Sequence, residues 1–257
     1  YISPTAPIGT EITLDIRAVD GEVSYRKTVT VAPVYATEFT PAVLTQPSVT
    51  FPEGEYYYPG SVIRFDVIAY APVNVTEANK VFALRVSDES LAYVDGNTVV
   101  IRPLSEITVR DPKLTVTVYS EPNGLEQEFE IDIFIPVTSV FASATPVRVT
   151  EGGSYSVAEL LEWYTNPVNG SIRSVTYGAE GLDPAIAVFK DGILTVCDEL
   201  PAGEIAIKLY VTVNGIRSET VEYSVYKPAH SIEIKAEVNG AELSDGNLPA
   251  SGKSLSD

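Results

Sequence analysis

Nucleophilic catalysis needs a hydroxyl or thiol within reach of a base, and this chain offers one histidine, His230, and one cysteine, Cys197. His230 follows Pro228-Ala229 in a linker-like setting, where a solvated side chain is expected. Cys197 follows Ile193-Leu-Thr-Val, an expected strand, and reads as a small core residue; the two fall in different parts of the chain. Zinc sites built from His and Cys are excluded by count. The carboxylate pairs Asp88-Glu89 and Asp198-Glu199 could in principle serve glycoside hydrolysis, but both stand in turn-like contexts where acids favour solubility. Gly152-Gly153 is a turn signal and does not open a phosphate-binding helix. The expectation is a protein that is not an enzyme.

Binding chemistry leaves more to weigh. Glu53, Asp88, Glu89, Asp95, Asp183, Asp191 and Asp198 fall near expected strand ends, and calcium is the ion that oxygen-rich acidic loops admit. Asp95 and Asp191, each followed by Gly, are the metal-ligand candidates; no EF-hand spacing accompanies them, turn formation also accounts for them, and no other cofactor is expected. Glu55-Tyr56-Tyr57-Tyr58-Pro59-Gly60 is the most distinctive local string. Strand alternation sends Tyr57 one way and Tyr56 and Tyr58 the other, so at least one ring should be exposed. Tyr56, Tyr58 and Trp163 are therefore the ligand-contact candidates, through stacking on sugars or anchoring of a protein. Packing at a module junction is the competing role for the tyrosines, and a core plug for Trp163. Asn74-Val-Thr and Asn169-Gly-Ser satisfy the N-glycosylation sequon, a short pattern that often occurs by chance and matters only in a glycosylating host.

Composition narrows the partners. Seventeen Lys and Arg against thirty-five Asp and Glu give a formal charge of -18. Nucleic acid and anionic membranes require clustered positive charge and are disfavoured. Such acidity supplies solubility and repulsion between neighbouring copies. With 45% hydrophobic residues the chain builds real cores. No apolar run approaches the roughly 18–20 residues of a membrane span, so no insertion is expected. Tyr1-Ile-Ser-Pro-Thr-Ala-Pro lacks a basic start and an apolar stretch, and the chain has no Met, so it reads as processed or as a fragment. A single Cys allows no internal disulfide, which tilts the reading towards prokaryotes.

The elements that must position these residues are β-strands. A strand-turn-strand ending occurs three times: Ile12–Val19, Asp20-Gly21, Glu22–Val31; then Leu114–Tyr119, Asn123-Gly124, Phe129–Ile135; then Ile205–Val213, Asn214-Gly215, Val221–Val225. Asx-Gly pairs tolerate positive φ and match strand twist. The turn glycines lie 103 and 91 residues apart, and the closing prolines Pro33, Pro136 and Pro228 lie 103 and 92 apart. Both markers give modules of β-sandwich size. Val49–Gly54 and Val147–Gly152 read as paired early edge strands ending in a turn. Leu91–Gly96 and Ile186–Gly192 read as paired strands that resume after an Asp-Gly turn. The expected division is the end of one module at 1–33, complete modules at 34–136 and 137–228, and the start of another at 229–257. Val157, Leu160, Leu161 and Tyr164 fall at helical spacing, predicting one or two helical turns that end at Asn166-Pro167.

The run Ile186-Ala-Val-Phe-Lys-Asp-Gly-Ile-Leu-Thr-Val, followed by Pro201-Ala-Gly-Glu-Ile-Ala-Ile, resembles bacterial immunoglobulin-like domains of the group 2 type, found in tandem on surface proteins, adhesins and S-layer proteins. Leu104-Ser-Glu-Ile-Thr-Val-Arg-Asp-Pro departs from that pattern by lacking the glycine, so its turn must differ. The resemblance implies an all-β chain of tandem immunoglobulin-like β-sandwiches, extracellular, whose first partners are neighbouring modules. It also implies a structural or adhesive stalk segment of a bacterial surface protein. The alternative is a carbohydrate- or host-protein-binding module, including an accessory region of a secreted carbohydrate-active enzyme.

Overall fold

A computed structural model describes residues 7–21, 24–227, 237–238 and 241–242. The chain is all-β, built as tandem immunoglobulin-like sandwiches. The first hairpin pairs β1 (Glu11–Arg17) with β2 (Ser24–Thr30) in antiparallel register, turning at Gly21 with φ of 80°. Its alternation is regular on β1 and interrupted by Lys27 on β2. Ile12, Leu14 and Ile16 stand opposite Val29, Lys27 and Tyr25, while the other face carries Thr13, Asp15, Thr28 and Arg26.

A complete sandwich follows. One sheet orders β3 (Glu38–Val43), β6 (Val62–Ala71), β9 (Thr98–Ile101) and β8 (Ala92–Asp95) as β3-β6-β9-β8. The facing sheet orders β4 (Val49–Phe51), β5 (Gly54–Tyr57), β7 (Ala83–Val86), β10 (Lys113–Ser120) and β11 (Leu125–Ile133) as β4-β5-β11-β10-β7. Between them lies a core of Tyr57, Ile63, Phe65, Val99, Leu114, Val116, Val118, Ile131 and Ile133 with their neighbours. Alternation explains it: Leu114, Val116 and Val118 recur every second residue on β10 and are buried together. The early segment at 49–54 is indeed an edge strand, but it returns at once through Pro52-Glu53 as β5. β5 then runs parallel to β11, with Tyr56 opposite Asp132 and Tyr57 opposite Ile133. Where the glycine is missing, the chain makes a single 3-10 turn at Leu104–Glu106 and places Asp111 at φ of 48°, a conformation Asp tolerates better than most residues.

The strands beyond repeat this plan. β13 (Val149–Thr150), β16 (Val175–Glu180), β19 (Ala206–Val213) and β21 (Val221–Tyr226) order as β13-β21-β19-β16, with β20 (Ile216–Arg217) completing the turn of β19. β14 (Ser154–Ser156), β17 (Ala187–Lys190) and β18 (Ile193–Val196) order as β14-β18-β17, and β12 (Ser139–Ala144) pairs with β15 (Leu161–Asn166). β13 runs parallel to β21 as β5 does to β11. Val157, Leu160, Leu194, Ile207, Leu209 and Val211 are buried. Asn214 (φ 50°) and Gly215 (φ 83°) both adopt the left-handed conformation that a two-residue hairpin turn demands.

Two expectations need correction. The helix predicted through Tyr164 is one turn only, α1 (Val157–Leu160), after which Leu161–Asn166 is strand β15. Val157 and Leu160 are fully buried, but from Leu161 the burial follows strand alternation and Tyr164 is exposed. Trp163, Tyr164 and Thr165 suit a pleated surface, and pairing with β12 overrides helical spacing. Cys197 lies just past β18 and is half-buried rather than a core strand residue.

The chain divides into two compact units. One comprises Tyr1–Phe141, Trp163–Val175 and Thr212–Ser218; the other comprises Ala142–Glu162, Thr176–Val211 and Glu219–Asp257. Apart from the short pair Glu237–Val238 and Ala241–Glu242, the expected partial module at 229–257, with His230, lies outside the described residues.

Candidate functional site

The most elaborate side-chain arrangement among the described residues lies in the first unit, around the segment Phe134–Thr138 and the loops Asn166–Ser174 and Thr212–Ser218. Phe134, Ile135 and Val137 are buried at 6%, 0% and 6% exposure, unusual for residues that connect strands. Backbone bonds run along it: Phe134 N–H donates to Tyr57 O (2.9 Å), Ser171 N–H to Ile135 O (2.8 Å) and Thr138 N–H to Asn166 O (2.7 Å). Ile135 N–H in turn donates to Ser171 Oγ (3.0 Å). Gly170 is required here, because a Cβ would come within 2.8 Å of Val137 Cγ2.

Arg173 is the charged centre. Its Nη1 donates to Asp111 Oδ1 at 2.9 Å and to its neighbour Ile172 O at 3.2 Å, and its Nε lies 3.2 Å from Glu53 Oε1 without hydrogen-bond alignment. The guanidinium lies 4.9 Å from the Tyr56 ring centroid and 5.3 Å from that of Phe134. Phe51, Tyr56 and Phe134 pack on one another with centroids 5.1–6.1 Å apart. A planar cation stacked on aromatic rings while gripping carboxylates is chemistry that Arg supplies and Lys does not. Beside it Lys113 Nζ pairs with Asp132 Oδ1 at 2.9 Å. A shallow cavity of about 470 Å³ opens nearby, walled by Phe51, Pro52, Phe134, Pro136, Val137 and Ile216, with Arg173, Glu53, Ser174 and Asn214 among its polar groups.

The turn asparagines are braces as well as turn residues. Asn214 Oδ1 accepts from Arg173 N–H (2.8 Å) and Ser174 N–H (3.1 Å), and its Nδ2 donates to Ser171 O (2.7 Å). Asn123 does the same elsewhere: its Oδ1 accepts from Ala36 N–H (2.7 Å), and its Nδ2 donates to Asn79 O (2.6 Å) and Ser120 Oγ (2.7 Å). Satisfying otherwise stranded backbone groups in this way stabilises loops that have no ladder of their own.

The structure gives the ligand candidates from the sequence different exposures, with Tyr56 and Tyr58 both near Phe134. Tyr56 is buried within the aromatic cluster, Tyr57 faces the core and donates to Thr45 O (3.0 Å), and Tyr58 alone of the three keeps an exposed ring. Burial, with the Glu55 charge second, pushes the Tyr57 hydroxyl pKa up. Trp163 is half-buried on β15. Asp95 and Asp191 stand exposed at the ends of β8 and β17, in equivalent turns of successive sandwiches. Among the described residues no group of three or more His, Cys, Asp or Glu gathers to hold a metal. Arg173 and Phe134 were not singled out in the sequence, where an Arg in Ser171-Ile-Arg-Ser carries no motif.

No known protein-family model matches the chain, and no curated protein matches it. Among solved structures it is similar to the N-terminal four Ig domains of Dscam1 isoform 4.44 (11% identity, TM-score 0.43), covering 79% of this chain and 51% of that one. It is similar to mouse cadherin-23 EC22-24 (16% identity, TM-score 0.40; 80% of this chain, 70% of that one). The third comparison is S-layer protein SbsC domains 4 and 5 (10% identity, TM-score 0.28; 76% of this chain, all of that one). The chain thus spans about half the length of the Dscam1 fragment it matches.

Proposed function

We propose that this chain is a non-catalytic structural segment of a bacterial extracellular surface protein, a stalk or adhesive spacer of tandem sandwiches. The observation that carries the reading is the buried connecting segment Phe134–Thr138. A passive tether is solvated and rich in polar residues, whereas this one buries Phe134, Ile135 and Val137 and is hydrogen-bonded from Phe134 to Thr138. Ser171 bonds it directly, Arg173 packs over the Phe134 ring, and Asn214 holds the loop that carries both, which suits a load-bearing spacer. The module boundaries proposed are 34–136 and 137–228, with 1–33 ending a preceding module and 229–257 beginning a following one. Limited proteolysis tests the carrying observation: cleavage at 134–138 under native conditions, at the rate of exposed loops, would sink the reading.

A second reading, a module for a glycan or host protein, is favoured by the exposed ring of Tyr58, 6.3 Å from Phe134. Glycan-array and pull-down screens with Tyr58→Ala and Trp163→Ala test it; retention unchanged by both substitutions rejects these contacts. A calcium role for Asp95 or Asp191 would need ligands beyond those gathered among the described residues. Melting curves with calcium and with chelator test it, since an ion bound to the folded state raises Tm.

A further inference from the structure

The two sequons present the same three-residue chemistry in opposite surroundings. Asn74 lies in the turn after β6, exposed, and no hydrogen bond to a described residue ties its carboxamide. Asn169 is engaged instead. Its Nδ2 donates to Ile107 O at 2.7 Å and, more weakly, to Val109 O at 3.4 Å, and its neighbour Gly170 has no room for even a Cβ.

We propose that, in a host with an oligosaccharyltransferase, Asn74 is the glycan acceptor of the two sequons and Asn169 is not. In N-glycosylation the carboxamide nitrogen forms a bond to the anomeric carbon of a sugar activated as a diphosphate. The carbon–oxygen bond breaks, the diphosphate leaves with its electron pair, and one amide proton passes to a base of the transferase. The product keeps a single N–H and carries a bulky polar substituent. At Asn74 both are accommodated, because the nitrogen faces solvent. At Asn169 the substituent would have to replace an N–H aimed at the Ile107 or Val109 carbonyl, in a loop held against Ile135 and Val137. The folded structure therefore admits a glycan at the first site, whereas a glycan transferred to the second before folding would keep that loop from closing.

The hydroxyl residue of the first sequon, Thr76, fits this order of events. Thr76 Oγ1 accepts from Val34 N–H at 2.8 Å, and Thr76 N–H donates to Val34 O at 3.0 Å. A transferase must read that hydroxyl before the loop closes, while the modified nitrogen of Asn74 remains outside afterwards.

Residues 1–257, secreted from a host with an oligosaccharyltransferase, test the proposal by site mapping. Enzymatic removal of the glycan converts an occupied Asn to Asp, and the mass change locates it. The expected result is occupancy on the Asn74 peptide only, a mass shift lost in Asn74→Gln and kept in Asn169→Gln. Secreted protein that carries no glycan at Asn74, or that carries one at Asn169 with an unchanged melting temperature, overturns the assignment. If Asn169→Gln fails to fold, the wild-type map alone decides.

Discussion

The hairpins β1–β2 and β10–β11 share strand alternation, antiparallel register and a glycine with positive φ at the turn, yet their apolar faces meet different fates. Leu114, Val116 and Val118 on β10 are at most 1% exposed beneath the facing sheet. Leu14 and Ile16 on β1 are 48% and 61% exposed, and Tyr25 across from Ile16 is 57% exposed. The comparison separates what makes a hairpin from what stabilises it. Turn chemistry and cross-strand pairing suffice for the shape, but burial against a second sheet supplies most of the free energy.

The largest contrast should come from the apolar faces. Leu114→Ala is expected to cost about 2–5 kcal/mol in urea unfolding, through lost burial and the cavity left behind. Leu14→Ala should cost less than about 0.5 kcal/mol, as exposed positions do. An equal loss at both positions would show that the β1–β2 face is covered in solution and break the comparison.

The turns give the next contrast. Asn123→Asp keeps the shape but removes the two donated bonds to Asn79 O and Ser120 Oγ, for an expected loss of about 1–3 kcal/mol. The first hairpin already carries an acid there, Asp20, which has no amide to donate.

Ion pairs sharpen the difference further. Arg173 is 20% exposed, bonded to Asp111 and stacked on two rings, so Arg173→Met should cost about 1–2 kcal/mol. Arg26–Asp15 on the first hairpin joins side chains 69% and 43% exposed at 2.6 Å. The bond to Asp15 raises the Arg26 pKa, yet Asp15→Asn should shift the urea midpoint within error, because water and salt screen such pairs.

The smallest effect is a titration. Hydrogen bonds from the Ser90 hydroxyl and backbone N–H hold the Asp88 carboxyl below its ordinary pKa. A depressed folded pKa means any stabilisation is present above the unfolded value and fades as pH falls through the folded one. Ser90→Ala should move the Asp88 titration upward in NMR; an unmoved curve would show that the hydroxyl contributes nothing.

Much of the fold was legible because its signals are local. Asn214-Gly215 predicts a tight turn from backbone sterics alone, and the alternation of Ile205–Val213 predicts which side is buried. Beyond the single turn α1 the pattern misleads, since helical spacing at Leu161 and Tyr164 coincides with residues that a strand also accepts. The Tyr56–Tyr58 string announced aromatic packing but not its partners: Phe134 arrives from beyond β11 and Arg173 from a separate loop.

By itself the sequence determined that this chain makes repeated Asx-Gly hairpins with one apolar face, because φ preference and side-chain alternation act over a few neighbouring residues. Only the tertiary structure decided which faces become core and which asparagines become braces. It also brought Arg173 to Asp111 from 62 residues away. Those outcomes depend on backbone groups and rings brought together from distant segments, and no local pattern encodes which distant group will be left needing a partner.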